Sequence, residues 1–181
     1  AHTRRQFGMP IEQLPAVAEM VTDMRIAIEA ARALTYETSQ LCDQENNNLR
    51  ILEWSKDRLD KDELKQRKQL FRNQKRLNSM LTPMSKYYAS EMSIAVANDA
   101  VQVLGGSGYM KDYPVERYLR DARITSIYEG TSQLQVVAAV RGVCSDAFPK
   151  CVEELEEREY TDGLLSELKS KLEDGKQLVL E

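Results

Sequence analysis

The sequence holds a single histidine, and it is His2, at the frayed start of the chain. A chain built this way has no Ser-His-Asp triad, no His-based zinc site and no imidazole acid–base chemistry to offer. Cysteine is scarce too. Cys42, Cys144 and Cys151 are an odd set without CxxC spacing, so they read as reduced thiols in a reducing compartment, not as metal ligands or a disulfide framework. No apolar run approaches membrane-spanning length and no signal peptide is visible. With only 8 Gly and 5 Pro in 181 residues, punctuation is sparse. Long Ala/Leu/Glu/Lys/Arg stretches between the few breakers predict helices.

Hydrophobic residues at 42% and charged residues at 30% describe a globular chain with a core, not a disordered one. The net charge of −4 says little about partners, but its distribution is uneven. Residues 50–76 hold ten Lys/Arg against five Asp/Glu, and residues 150–181 hold ten Asp/Glu against five Lys/Arg. Both stretches read first as solvated helix faces, with a docking surface for a partner, a membrane headgroup layer or another part of the same protein as the alternative. The chain begins with Ala1 and not Met, which reads as a processed or excised piece.

Residues 1–10 form a lead-in ending in a turn. From Ile11 to about Asn46 the apolar spacing of Val17, Val21, Met24, Ile28 and Ala31 predicts a helix. The run Gln44–Asn48 is a polar stop, and Leu49–Trp54 an apolar patch without clear periodicity. A charged helix is expected over about 60–81, with Asp60 as N-cap and Glu63 completing a capping box. Pro83 breaks it, and a third helix runs from about Met84 to Leu104, ended by Gly105-Gly106-Ser107-Gly108. Pro114 starts a further helix to about Ala122. Arg123–Glu129 carries β-branched residues that argue for strand and surroundings that argue for a helical turn into a loop at Gly130. Ser132 with Gln135 fits a capping box for a helix through about Val143, and two short helices follow at about 150–159 and 162–174. No βαβ alternation appears, so the fold class is all-α, an antiparallel helical bundle.

Three segments could carry chemistry. Gln102-Val-Leu-Gly105-Gly106-Ser107-Gly108-Tyr109 offers open backbone for an anion, but it follows a helix and has neither Rossmann nor P-loop spacing. On spacing alone, a helix C-cap and turn is the favoured reading. Ile127-Tyr128-Glu129-Gly130-Thr131-Ser132-Gln133 places a carboxylate between an aromatic and a glycine just before a helix, where burial would suit it as a general base. Ser126 and Glu129 also fit a capping box. Arg4-Arg5-Gln6-Phe7-Gly8 pairs two guanidinium groups with an aromatic, which could clamp a pyrophosphate or be ordinary surface charge.

Taken together, the run QVLGGSGYMKDYPVERYLRDARITSIYEGTSQLQ from Gln102 to Gln135, with RRQFG upstream, resembles the acyl-CoA dehydrogenases. The resemblance covers most of residues 1–145 and fades in 47–80 and after about 145. It implies the C-terminal four-helix-bundle type with its first helix largely missing, extra C-terminal helices, and a domain division at 1–145 and 146–181. The reaction implied is α,β-dehydrogenation of an acyl-CoA thioester. There Glu129 takes the α-proton while the β-hydride passes to FAD. By position, Arg4 and Phe7 match residues that contact the FAD of a neighbouring subunit, and Gln102, Gly105 and Gly106 match the segment that receives the same cofactor. Thr131 and Gln133 match FAD contacts in the catalytic subunit, and Tyr128 and Gly130 line the acyl pocket. Arg120-Asp121 matches a family pair and reads as an ion pair fixing its helix.

The resemblance also implies a homodimer or homotetramer, an electron-transfer flavoprotein as acceptor, and a bacterial cytoplasmic or mitochondrial matrix location. Departures are Gln6, which stands where many relatives have Thr or Ser, the longer connection at 47–80, and the extended tail. A non-catalytic helical oligomerisation or scaffold module derived from the family is the competing reading. Only Phe71 interleaves the basic charges of 61–76, so no nucleic-acid partner is expected and membrane association is the lesser alternative.

Overall fold

The computed structural model describes residues 1–144 and 148–157, with Glu167 and Lys171. Its helices are α1 (Pro15–Trp54), α2 (Lys61–Leu104), α3 (Gly106–Tyr109), α4 (Val115–Arg123), α5 (Ser132–Gly142) and α6 (Phe148–Glu156). Two short strands, β1 (Arg5–Gln6) and β2 (Met9–Pro10), are the sole sheet among the described residues. The all-α class expected from the sequence is therefore what the chain adopts. No helix among the described residues is long and apolar enough to cross a membrane.

The chain divides into two compact units, Ala1–Gln40 with Thr82–Val136, and Leu41–Leu81 with Val137–Glu181. The first unit opens on the β-hairpin. Its loop residues Phe7 and Gly8 both have positive φ, 53° and 82°, the two-residue turn whose twist suits antiparallel strands. Ile11, only 5% exposed, ties the hairpin down, and its N–H bonds the Arg4 carbonyl at 2.9 Å. Ala31 on α1 and Ala97 on α2 are buried in this unit. The last turn of α2 ends at Gly105, whose φ of 59° and ψ of −141° suit a residue without a Cβ. The helix expected after Pro114 is α4, and Ile124–Ser126 forms a 3-10 turn, so the helical reading of 123–129 holds over the strand reading.

Two helix boundaries expected from the sequence are not found, one in the second unit and one at Pro83 in the first. The polar run Gln44–Asn48 does not stop α1, which continues to Trp54. Its Gln44, Glu45 and Asn48 pair with α2, while Asn46 and Asn47 stay exposed. Asn78 Nδ2 donates to Leu41 O at 3.1 Å and Glu45 Oε2 at 2.6 Å. Gln74 Nε2 donates to Gln44 Oε1 at 3.4 Å, Asn48 Nδ2 to Gln74 Oε1 at 2.6 Å, and Arg67 Nη1 to Asn48 Oδ1 at 2.9 Å. These partners run antiparallel, and Asn48, Gln74 and Asn78 are each at most 9% exposed. A composition that signals a loop when solvated becomes a polar ladder between helices once Gln44, Glu45 and Asn48 are paired from α2, with the Asn78 Oδ1 left buried without a partner.

Pro83 likewise lies inside α2 without ending it, so 60–81 and 84–104 are one helix, not two. An interior proline forfeits one backbone bond and crowds the preceding turn, at about 3 kcal/mol. Against that local cost stand the buried apolar side chains of Met80, 1% exposed, and of Pro83 itself.

The start of α2 is as expected. Asp60 Oδ1 accepts from the N–H groups of Asp62 and Glu63 at 2.9 and 2.8 Å, and Glu63 Oε2 accepts from the Asp60 N–H at 3.4 Å. Asp60→Ala should lower stability by about 1 kcal/mol in a denaturant titration; an unchanged midpoint would show the cap to be dispensable. In α6, Val152 is 1% exposed. The remainder of the expected 150–159 helix, the 162–174 helix and nearly all of the acidic tail beyond Glu157 lie outside the described residues.

Candidate functional site

Two groups of sequence-predicted residues emerge, both in the first unit. One is the loop between α4 and α5. After the 3-10 turn, Tyr128 N–H closes back on the Ile124 carbonyl at 3.1 Å, and the chain then reverses through two residues of positive φ, Glu129 at 52° and Gly130 at 96°. For Gly130 this costs nothing steric. For Glu129 the left-handed conformation costs roughly 1–2 kcal/mol and needs support from its surroundings.

The support comes from α2 and α5. Lys86 Nζ donates to the Thr125 carbonyl at 3.1 Å and to the Gly130 carbonyl at 2.8 Å. The same ammonium lies 5.4 Å from the centre of the Tyr128 ring. The Ser93 and Thr125 hydroxyls are 3.3 Å apart, and the Ser132 hydroxyl donates to the Glu91 carboxylate. From the far side, Gln135 Nε2 donates to the Glu129 and Gly130 carbonyls at 3.2 and 3.3 Å. The predicted Ser132–Gln135 capping box is thus not the arrangement found, because Glu91 takes the Ser132 hydroxyl and the loop carbonyls take Gln135. Ser126 does not cap with Glu129 either. Its hydroxyl accepts from Arg123 Nη1 and donates to the Arg123 carbonyl at 3.3 Å.

Glu129, Thr131 and Gln133 are exposed, and Tyr128 is half-exposed. Burial beside an aromatic, expected for Glu129 from the sequence, is not found. In this chain the neighbouring Tyr128 ring meets Lys86 instead, and the carboxylate stands in solvent. The Arg120–Asp121 ion pair is not formed among the described residues. Residues adjacent on a helix do not face each other, and both are exposed.

The second group gathers at the C-terminal end of α2. Arg4 Nη1 donates to the Leu104 carbonyl at 2.5 Å and lies 3.7 Å from where a Gly105 Cβ would sit. That bond brings RRQFG against QVLGG across 100 positions of sequence. Phe7 is 86% exposed at the hairpin tip, Gln102 is exposed, and a Cβ at Gly106 would meet nothing within 4 Å. Arg4 spends one of its five donors on α2. A fixed guanidinium, an uncovered aromatic and bare backbone are suited to an anionic group that also carries a flat ring.

Lys86 and Leu104 are eighteen positions apart on one helix, or about 27 Å at 1.5 Å per residue. The two groups are therefore separate places on this unit. An apolar groove lined by Ile28, Met92, Val96, Val115, Tyr118 and Ala122 contains none of the sequence-predicted site residues. Lys86 and Glu91 were missed by sequence reasoning. The available signal was their isolation: they are the only charged residues between Arg76 and Asp99.

Comparison with known proteins gives a consistent result. The family profile described as "Acyl-CoA dehydrogenase, C-terminal domain" matches residues 1–56 and 65–144. Cyclohexane-1-carbonyl-CoA dehydrogenase of Geobacter metallireducens is 33% identical over 144 residues, which covers 80% of this chain and 30% of that protein. The mitochondrial short-chain specific acyl-CoA dehydrogenase of Sus scrofa is 36% identical over 135 residues, 75% of this chain and 26% of that protein. The structure of butyryl-CoA dehydrogenase from Megasphaera elsdenii superposes with a TM-score of 0.55 at 28% identity, over 79% of this chain and 30% of that one. The chain thus spans 30% or less of the length of these relatives.

Proposed function

The chain belongs to the acyl-CoA dehydrogenase family, an oxidoreductase family, through its C-terminal domain, and from that premise we propose that it supplies the α-proton base, Glu129, for α,β-dehydrogenation of an acyl-CoA thioester. The observation that carries this reading is the Glu129 turn itself. A non-glycine residue is held at φ 52°, its carboxylate exposed, by α2 and α5 side chains that grip the loop on both flanks. Fixed backbone around an exposed carboxylate is what a base needs to meet one C–H bond of a bound substrate. On this reading the Glu129 N–H polarises the thioester carbonyl, which acidifies the α-carbon. Tyr128 and Gly130 line the acyl end.

The proposed cofactor is FAD, and when bound it supplies the two-electron acceptor for the β-hydride. The residues of this chain fit it. Thr131, exposed just before α5, and Gln133, exposed in its first turn, contact the flavin of the same active site. Arg4, Phe7, Gln102, Gly105 and Gly106 hold the flavin of a neighbouring subunit. The separation of about 27 Å along α2 agrees with one domain serving two flavins, hence with a homodimer or homotetramer. The proposed electron acceptor is an electron-transfer flavoprotein, and the proposed location is the bacterial cytoplasm or mitochondrial matrix.

The test is an anaerobic one on the full-length protein. Short-, medium- and long-chain acyl-CoA should each be tried against the FAD-loaded enzyme, and at least one should bleach the visible flavin band and yield a 2-enoyl thioester. A loaded enzyme that none of them reduces would overturn the assignment.

A further inference from the structure

Lys86 makes no ion pair with a carboxylate among the described residues, yet it is half-buried and uses two of its three donors. Its ammonium is spent on two backbone carbonyls, those of Thr125 and Gly130, at 3.1 and 2.8 Å. These lie before and after Glu129, so one side chain bridges both ends of the turn that holds the proposed base. It also lies under the Tyr128 ring at 5.4 Å. Hydrogen bonds from an ionised donor are roughly twice as strong as neutral ones, and a lysine can direct three of them at once. Gln135 supports the Gly130 carbonyl from α5, but only from one side and at 3.3 Å.

On the reading that Glu129 is the base, we propose that Lys86 is its positioning residue, a charged strap from α2 that fixes the left-handed Glu129 turn in the geometry proton abstraction requires. Lys86 does not touch substrate. Its function runs through the backbone of the turn. Without the strap, the Glu129–Gly130 pair relaxes towards negative φ at Glu129 and the carboxylate shifts off the α-carbon. A displacement of about 1 Å at a reacting group lowers a rate by roughly 10²-fold.

The experiment compares K86M, K86R and E129Q in the full-length, FAD-loaded enzyme. K86M keeps the stem and loses the donors; K86R keeps a charged multiple donor. Steady-state kcat and KM, flavin content and thermal midpoint are measured, together with solvent-deuterium exchange at the substrate α-carbon with no electron acceptor present. The expectation for K86M is a fall of about 10- to 100-fold in kcat and in α-exchange, with KM within a few-fold, flavin retained and the midpoint little changed. K86R should recover most of the loss. Wild-type kcat in K86M alongside an inactive E129Q would overturn the role of Lys86 and leave that of Glu129 standing. A K86M enzyme that loses flavin or unfolds would overturn it as well, because Lys86 would then be holding the domain and not the turn. An active E129Q would remove the premise itself, and is distinguished by that single variant.

Discussion

Replacing Glu129 with Gln in the full-length enzyme is expected to cut turnover by about three orders of magnitude, with flavin content and thermal midpoint unchanged. A well-placed general base contributes about 10²- to 10⁴-fold, and Gln has the shape of Glu but an uncharged amide in place of the basic carboxylate. Nothing else in the loop can take over. The one histidine is His2, the Ser132 hydroxyl is given to Glu91, and the Lys86 ammonium is given to two carbonyls. Stability should hold because the structural work at this position is done by backbone. The Glu129 carbonyl accepts from Gln135, and the side chain is exposed. The measurement is steady-state oxidation of acyl-CoA beside a flavin spectrum of the same preparation. Turnover within a few-fold of wild type would mean that the base sits elsewhere in the protein.

The residues of this site were legible in the sequence because glycine, proline and motif order mark them. Pro114 announces α4, Gly130 marks the reversal, and Gly105 ends α2. What holds the site was not legible. Lys86 is one lysine in a helix, and its two carbonyl partners lie 39 and 44 residues away. No local pattern records such a pairing. The same physics explains the failed helix boundaries. Gln44 and Asn48 look like a solvated stop until Gln74 and Arg67 satisfy them from α2. Pro83 looks like a break until burial of Met80 and of its own side chain is counted. Where a local rule and tertiary burial disagree, burial decides, because several kcal/mol of packing stand against about 1 kcal/mol of propensity or about 3 kcal/mol of proline cost.

Gly142 in the second unit puts that ranking to a test of opposite sign. On helix propensity alone, adding a side chain within α5 should stabilise, by up to about 1 kcal/mol for Ala over Gly. Packing forbids it. A Cβ at Gly142 would stand 2.6 Å from the Met80 Cβ and 2.7 Å from its Cα, well inside the roughly 3.5–4.0 Å at which carbons rest. The atoms in the way belong to the α2 backbone and to the root of a side chain that is 1% exposed, so neither can swing aside. Gly142→Val is therefore expected to destabilise by about 3 kcal/mol, at the upper end of overpacking costs, and Gly142→Ala by less. The control is Gly106→Ala, where an added Cβ meets nothing within 4 Å and the change should stay within about 0.5 kcal/mol. Denaturant titration of the three variants reads the difference directly. If Gly142→Val proved as stable as the parent, the close approach of α5 to α2 at Met80 would be wrong, and with it the packing on which the second unit is built.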